Sequence, residues 1–267
     1  MRVLYTDVDG TLVGPGGNLL LDGSGAPTRV AVDALLRARA SGLEIVALSG
    51  RDVARVDELG RLLGLAAWIA ELGGVRVYER GTRRVVDVGA YRGDGSPVDA
   101  LYPLVGELVA RAPGRLEPHD PWNDGRLVSL MVRGELDVDD AHARLDRDGY
   151  GWVEIVENGI IPRTYDSLPS VSKVRVYHLA PRGISKRDAV LADRKERGIA
   201  AAECAVVGDA AADLACHDVV ARCFVVRNAI EKDPPFADVV ARVPNATITR
   251  QGHGAGFAEA VDTLLDG

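Results

Sequence analysis

Residues 2–13 read Arg-Val-Leu-Tyr-Thr-Asp-Val-Asp-Gly-Thr-Leu-Val, and this stretch decides the fold of the chain. Its apolar start predicts a short buried strand, which runs into Asp7 and Asp9. Because residues two apart on a strand face the same side, these carboxylates are expected to converge just past the strand's end. Open α/β sheets place their sites there. Close carboxylates repel each other unless a cation or a shared proton intervenes. An Asx-rich turn would explain one aspartate and Gly10, but not the strand before them.

The composition is that of an ordinary soluble globular chain. The chain has 267 residues, of which 47% are hydrophobic and 27% charged, so it can form one large domain or two. A net charge of −7 argues against a nucleic-acid surface. No apolar run reaches the roughly 18 residues of a membrane span, and the N-terminus reads as a strand, not a signal peptide. We therefore expect a cytoplasmic protein that binds neither nucleic acid nor membranes.

A second strand, residues 43–48, also ends in polar groups. Ser49 and Gly50 follow it, and Asp52 is a candidate N-cap for the next helix. A hydroxyl and free amides at the point where a strand meets a helix N-terminus form a geometry that binds anions. The alternative is a plain capping region without a ligand.

Two later segments carry charge at comparable positions. Lys186 lies in the first turn of a predicted helix, where a cation is unfavourable with the helix dipole, and this suggests an anionic partner. Asp209 and Asp213 follow an apolar strand, residues 204–207, and their oxygens suit Mg²⁺. Asp213 taken alone could instead be a first-turn aspartate favoured by the helix dipole.

From about residue 83 to residue 180 the pattern changes. Two amphipathic helices are predicted near residues 96–108 and 139–148, among short strand-like runs. The strand-like runs are residues 85–86, 127–133, 152–156, 160–165 and 171–177. An α+β unit is therefore inserted into a parallel α/β chain. The polar, turn-rich run 117–126 is either a substrate loop or a solvated connection.

Taken in order, these motifs resemble those of the haloacid dehalogenase superfamily of phosphatases. Residues 7–13, Asp-Val-Asp-Gly-Thr-Leu-Val, look like its first motif, and Ser49, Lys186 and the acids Asp209 and Asp213 look like the other three. The resemblance implies an α/β fold: a Rossmann-like three-layer α/β/α core from residues 1–82 and 181–267. It also implies an inserted α+β cap of type C2B at residues 83–180, as in Cof-like and sugar-phosphatase-like members.

The same resemblance implies hydrolysis of a phosphate monoester with Mg²⁺. Asp7 would be the nucleophile and Asp9 the general acid and base. Ser49, Gly50 and Lys186 would bind the phosphoryl group. The metal would be held by Asp7, Asp209, the backbone carbonyl of Asp9, and Asp213 directly or through water. Because a large cap shuts out a folded chain, the expected partner is a small metabolite, a sugar phosphate or a phosphorylated glycosyl-glycerate.

Three positions depart from the family pattern. Leu72 stands where relatives with a large cap often carry Asn, Arg187 follows the third-motif lysine where Gly is common, and Ala212 replaces an Asn beside the last acid. Two other functions stay open. One is a sugar phosphomutase of the same architecture, and the other is a catalytically weak binding or regulatory relative. The sequence leaves the oligomeric state undetermined.

Overall fold

The structure is a computed structural model that describes residues 1–161 and 163–266. The strands in the described residues are β1 (Val3–Thr6), β2 (Glu44–Leu48), β3 (Trp68–Ala70), β4 (Val75–Tyr78), β5 (Arg83–Val86), β6 (Leu116–Pro118), β7 (Leu130–Gly134), β8 (Val153–Ile161), β9 (Val174–Pro181), β10 (Cys204–Gly208), β11 (Arg222–Val225) and β12 (Ala246–Ile248). The helices are α1 (Val30–Ser41), α2 (Val53–Leu63), α3 (Pro97–Arg111), α4 (Val138–Arg147), α5 (Lys186–Arg197), α6 (Ala211–Leu214), α7 (Arg227–Lys232), α8 (Phe236–Ala241) and α9 (His253–Leu265).

Eight strands form the larger sheet, with β1 near its centre. The order is β12-β11-β10-β1-β2-β3-β4-β5. Pairing is parallel from β12 to β3, and β4 and β5 add antiparallel strands at one edge. The chain leaves β1 for β2 on one side and returns to β10 on the other. Such a switch point opens a crevice at the carboxyl ends of the strands.

Helices cover both faces of this sheet, which gives the predicted three-layer α/β/α arrangement. On one face α1, α2 and α9 bury apolar side chains such as Ala34, Val56 and Phe257 against Leu4. On the other face α5 to α8 bury residues such as Val190. The strands of the centre are apolar on both sides because both sides are covered.

The smaller sheet has the order β6-β7-β9-β8 and is antiparallel throughout. Helices α3 and α4 pack on one of its faces, where Leu101 and Leu145 meet Leu130, Ile155 and Leu179. This is the α+β cap that the sequence predicts, with two helices on a sheet of strands.

Several predicted strands differ from the observed ones. Residues 83–86 form the edge strand of the larger sheet and not part of the cap, so we propose that the first domain boundary falls after Val86. The predicted strand 127–133 is observed as β7, and the short strand β6 was not predicted. Residues 153–156 and 160–161, from two of the predicted strands, belong to one strand, β8, whose register shifts between Glu157 and Ile160. Pro162, within the predicted strand 160–165, and Gly267, at the end of the predicted core segment, lie outside the described residues.

Local sequence explains where the second helix begins. The Asp52 side chain accepts a hydrogen bond from the Arg55 amide at 3.1 Å, as the sequence predicts for an N-cap. Gly64 ends the helix in the left-handed conformation, with φ of 64°. The loop of residues 49–51 is thus fixed between β2 and a well-capped helix. In the described part of the chain, no helix is both long enough and apolar enough to span a bilayer.

Candidate active site

The predicted nucleophile lies at the carboxyl end of the central strand β1. Asp7 is buried, and its amide N–H donates to the carbonyl of Val207 on β10 at 2.9 Å. The Thr6 hydroxyl donates to the Asp7 carbonyl at 2.9 Å. These bonds fix the backbone of Asp7 at the switch point of the sheet, where crevices form between strand ends.

Two other carboxylates meet Asp7 there. Asp209 follows β10, and Asp213 lies in the short helix α6. One oxygen from each of the three side chains lies within 4.8 Å of the other two. Residues separated by about two hundred positions in the sequence therefore form one acidic cluster, which we call the carboxylate cluster.

Lys186 links two members of this cluster. Its Nζ atom donates to Oδ1 of Asp7 and to Oδ1 of Asp213, each at 2.7 Å. The lysine is the first residue of α5, and its side chain is only 2% exposed. The Ser185 hydroxyl caps that helix by accepting from the Asp188 amide at 3.0 Å, so the start of the helix is fixed as well.

The charges within the carboxylate cluster do not balance. Burial, together with Asp213 and Asp209, raises the pKa of Asp7 to about 8 although Lys186 opposes the rise. Burial also raises the pKa of Asp213 against the same lysine. Burial by itself would lower the pKa of Lys186, but Asp213 and Asp7 raise it above its usual range. When all three carboxyl groups are ionised, their charge exceeds that of the one buried ammonium, and the oxygen donors fit a hard divalent cation such as Mg²⁺.

Asp9 occupies a different position from the one that its spacing predicts. Among the described carboxylates it does not belong to the cluster, and its side chain is 55% exposed. Arg51 binds it in a fork, with Nε 2.7 Å from Oδ2 and Nη2 2.5 Å from Oδ1. Hydrogen bonding to Asp9 raises the pKa of Arg51 despite its burial. The two aspartates of the first motif therefore point to different partners, one to a buried lysine and one to an arginine.

Asp209 has a cationic partner of its own. Nζ of Lys232, the last residue of α7, lies 2.9 Å from Oδ2 of Asp209. Gly10, with φ of 83°, passes so close that a Cβ atom there would lie 2.3 Å from the same oxygen. Glycine is required at this turn, because any side chain would displace the carboxylate.

Ser49 follows β2, which pairs with β1, and its side chain is buried. Its Oγ accepts a hydrogen bond from the Arg51 amide at 3.1 Å. Its own amide donates to the carbonyl of Ile69 at 2.9 Å. Both Asp7 and Ser49 thus leave neighbouring parallel strands at the same edge of the sheet, in the order that the sequence predicts.

The cap contributes residues that sequence analysis did not single out. The guanidinium of Arg126, which is 5% exposed, donates to the carbonyl of Gly50. His178 and Asn158 also reach Gly50: a Cβ atom there would lie 3.2 Å from each side chain. The only sequence signal was the position of Arg126 in the polar run 117–126. His178 and Asn158 lie on cap strands whose pattern carries no sign of a site.

Arg187 and Leu72, two of the residues that depart from the family pattern, have defined contacts in the structure. Arg187 turns to the surface, where its Nε lies 2.9 Å from Oδ1 of Asp218. Leu72 is buried with φ of 56°, and its amide donates to the Ser49 carbonyl at 3.1 Å. Leu72 therefore shapes the loop of residues 49–51 through its backbone.

Comparisons with known proteins find relatives by sequence and by fold. No family model matches the chain. A phosphoglycolate phosphatase of Methanoculleus marisnigri is 26% identical over 262 residues, which cover 98% of this chain and 95% of that protein. A phosphoglycolate phosphatase of Halobacterium salinarum is 32% identical over 88 residues, 33% of this chain and 36% of that protein.

Solved structures extend the likeness to the whole fold. A Thermoplasma acidophilum protein superimposes with a TM-score of 0.68 at 19% identity, covering 99% of this chain and 98% of its own. The sucrose-phosphatase of Synechocystis, solved with sucrose and phosphate, gives 0.64 at 17% identity and 98% coverage of both chains. A haloacid dehalogenase-like hydrolase of B. subtilis gives 0.62 at 17% identity, covering 99% of this chain and all of that one. The chain therefore has the fold of haloacid dehalogenase-like hydrolases, and over nearly its whole length its sequence is similar to that of a phosphoglycolate phosphatase.

Proposed function

We propose that this protein is a Mg²⁺-dependent phosphatase that hydrolyses small phosphorylated metabolites through an aspartyl-phosphate on Asp7. The observation that carries the proposal is the carboxylate cluster, in which oxygens of Asp7, Asp209 and Asp213 lie within 4.8 Å of one another. Lys186 donates to two of them at 2.7 Å. A buried cluster with excess negative charge favours a divalent cation, and Mg²⁺ prefers oxygen ligands.

The chemistry divides into two displacements at phosphorus. A carboxylate oxygen of Asp7 attacks phosphorus, and the bond to the ester oxygen breaks. Asp9 gives a proton to that oxygen and later takes one from the water that attacks the aspartyl-phosphate, which frees phosphate and restores Asp7. Lys186 and Ser49 bind the other phosphoryl oxygens. Bound to the cluster and to the Asp9 carbonyl, Mg²⁺ would offset the charge of the nucleophile and the phosphate.

This role for Asp9 requires a rearrangement. In the structure both of its oxygens accept hydrogen bonds from Arg51. Asp9 must leave this ion pair to reach a leaving group, and a phosphoryl group that attracts Arg51 would help to release it. The exposure of Asp9 leaves room for such a movement.

For the substrate, we propose phosphoglycolate first and sugar phosphates or phosphorylated glycosyl-glycerates second. The relative matching nearly the whole chain is named a phosphoglycolate phosphatase. Asn158 and His178 of the cap lie against Gly50, next to the proposed phosphate-binding residue Ser49, and this close approach of the cap favours a small leaving group. A cytoplasmic location and the absence of nucleic-acid partners stay predictions from the sequence.

The test is release of inorganic phosphate from phosphoglycolate and a panel of sugar phosphates, with Mg²⁺ and with a chelator. We expect turnover that requires Mg²⁺. Asp7→Asn should lower kcat by more than about a thousandfold, since the nucleophile is lost. The exposed Asp238, replaced by Asn, serves as the control for loss of a carboxylate elsewhere.

Other outcomes separate the two alternatives. Interconversion of sugar phosphates without free phosphate would identify a phosphomutase. Binding of phosphate esters without turnover of any of them would identify a catalytically weak relative. Full turnover by Asp7→Asn would exclude the covalent route.

A further inference from the structure

Each carbonyl group in the loop of residues 49–51 accepts a hydrogen bond from a donor outside the loop. The Ser49 carbonyl accepts from the Leu72 amide at 3.1 Å, and the Arg51 carbonyl accepts from the Glu71 amide at 2.9 Å. The middle carbonyl, that of Gly50, accepts instead from a side chain of the cap, Arg126, whose Nη1 atom lies 3.0 Å away. Two of the three bonds come from the core backbone, and the third depends on the cap.

The peptide group between Gly50 and Arg51 connects this contact to Ser49. Its oxygen is held by Arg126, and its N–H donates to the Ser49 Oγ at 3.1 Å. If this peptide turned over, the hydroxyl would lose its donor and would face the carbonyl oxygen instead. Glycine restricts such a rotation less than any other residue.

Arg126 is well placed to prevent that rotation because it is itself fixed. Its Nε donates to the Ser129 carbonyl at 3.0 Å, and Nη2 also donates to Gly50. The Ser129 amide in turn donates to a carboxylate oxygen of Glu71 at 3.0 Å. A planar guanidinium held at two edges keeps its orientation better than a flexible ammonium.

We propose that Arg126 is a positioning residue for phosphoryl transfer: by binding the Gly50 carbonyl it orients the Ser49 hydroxyl towards the phosphoryl group. The inference rests on the proposed function, because Ser49 must bind phosphate for the orientation to matter. It assigns to the cap a role in building the phosphate site, in addition to covering it.

A double-mutant cycle with Ser49 tests the proposal. Arg126→Met and Arg126→Lys are made alone and together with Ser49→Ala, and kcat and KM are measured with an aryl phosphate and Mg²⁺. With Ser49 present, we expect Arg126→Met to lower kcat by about ten- to a hundredfold, with a smaller loss for the lysine variant. With Ser49→Ala, the same change should cost less than about threefold, because the group that it positions is absent.

Arg175→Met is the matched control, because Arg175 is a cap arginine that pairs at the surface with Glu157. It should leave kcat unchanged in both backgrounds. Equal fold-losses in kcat for the Arg126 variants with and without Ser49 would overturn the proposal. If Arg126 had a purely structural role, its loss in kcat would be independent of Ser49 and would multiply with the loss caused by Ser49→Ala. If Arg126→Met does not fold, the lysine variant supplies the cycle.

A separate measurement keeps this test distinct from that of the proposed function. Binding of inorganic phosphate with Mg²⁺ is measured by calorimetry for the same variants. Arg126→Met should weaken phosphate binding only where Ser49 is present. If the wild-type protein hydrolyses no phosphate ester, the proposed function fails, and this binding cycle still decides whether Arg126 positions Ser49. Equal weakening in both backgrounds would again reject the positioning role.

Discussion

Lys186 donates to Asp7 and Asp213 at the same time, so its charge stabilises two buried carboxylates at once. Removal of one partner from a buried ion pair costs about 3–5 kcal/mol, because the remaining charge stays desolvated. We expect Lys186→Met to lower the free energy of unfolding by about this amount without divalent cations. Mg²⁺ should restore part of the loss by binding the same carboxylates. Urea unfolding with and without Mg²⁺ measures both effects.

The matched control for this substitution is Lys195→Met, an exposed lysine on the same helix, α5. It should change the free energy of unfolding little under either condition. Equal losses of stability in the two lysine variants would contradict the prediction. So would a Lys186→Met variant whose stability Mg²⁺ does not raise, because its buried carboxylates would then not attract the cation.

Gly10 gives a second prediction for a single residue. Gly10→Ala puts a non-glycine residue at φ of 83° and a Cβ atom 2.3 Å from Oδ2 of Asp209. The left-handed conformation costs about 1–2 kcal/mol of stability. Displacement of Asp209 should in addition weaken Mg²⁺ binding by about ten- to a hundredfold. Calorimetric titration with Mg²⁺ measures the second effect separately from the first.

Gly25 provides the control because it has the same φ of 83° with no atom within 4 Å of the position a Cβ would take. Gly25→Ala should show the loss of stability without the loss of metal affinity. Equal Mg²⁺ affinities for the two variants would mean that Gly10 is needed for its conformation and not for its approach to Asp209.

At the level of elements, the Glu71 carboxylate is one of the groups that join the core to the cap. Glu71 lies just after β3 and is fully buried, and Oε1 accepts from the Leu127 amide at 2.8 Å. Oε2 accepts from the amides of Val128 and Ser129 and from the Ser129 hydroxyl. These bonds hold the segment that leads into β7 and that also carries Arg126. A carboxylate suits this place because it only accepts hydrogen bonds.

We therefore expect Glu71→Gln to loosen the connection. The NH₂ group of the glutamine would face a backbone N–H that now donates to Glu71, and two donors cannot form a hydrogen bond with each other. A buried polar group left without its partner costs about 1–3 kcal/mol. Hydrogen exchange of the amides at residues 127–129 should become faster, and exchange at β1 should change less. Mass spectrometry after deuterium labelling resolves the two regions.

Glu79→Gln is the control for this change, because Glu79 has a similar φ, 54° against 51°, in a comparable turn but is exposed. It should leave exchange at residues 127–129 unchanged. Equal exchange in both variants would show that Glu71 does not hold the cap segment.

The stability of the whole molecule should depend on pH through its buried histidines. The pKa of His178 lies well below 6.5, chiefly because its ring is buried. The Arg126 guanidinium, which is 3.5 Å away, lowers this pKa further, as do Lys186 and His119. Burial, and then Arg133 and Arg126, lowers the pKa of His119 to about 4, although Asp120 and Glu117 oppose this. Below pH 6.5 the unfolded chain binds protons that the folded chain does not.

The contribution of these histidines to the free energy of unfolding should consequently be fully present above pH 6.5 and be lost as the pH decreases towards 4. Asp7, whose pKa is raised to about 8, contributes a slope of the opposite sign, so the histidine contribution is the difference between the wild-type protein and a histidine variant. Each such histidine contributes a slope of up to about 1.4 kcal/mol per pH unit. His178→Gln should reduce the slope between pH 6.5 and 4.5, and urea unfolding at several pH values measures it. His217→Gln, in the core segment between α6 and β11, is the comparison. An unchanged slope for His178→Gln would contradict the assignment.

The sequence by itself determined the fold class and most of the candidate site. An apolar strand of four residues followed by Asp7, and later strand ends at Ser49 and Asp209, are local patterns that periodicity and turn chemistry reveal. Parallel strands bring their carboxyl ends to one edge, so the convergence of Asp7 with Asp209 was predictable. The order of the motifs supplied the resemblance to the haloacid dehalogenase superfamily, and the observed fold agrees with that resemblance.

Only the tertiary structure decided which side chains pair across the molecule. Asp9 belongs with Arg51 rather than with the carboxylate cluster, and Arg126 reaches Gly50 from 76 positions away along the chain. The edge strand β5 likewise pairs with β4 in the larger sheet, and its own residues do not predict which of the two sheets it belongs to. The physical reason is that periodicity reports which face of an element is buried, while a hydrogen bond between distant segments depends on how those elements pack.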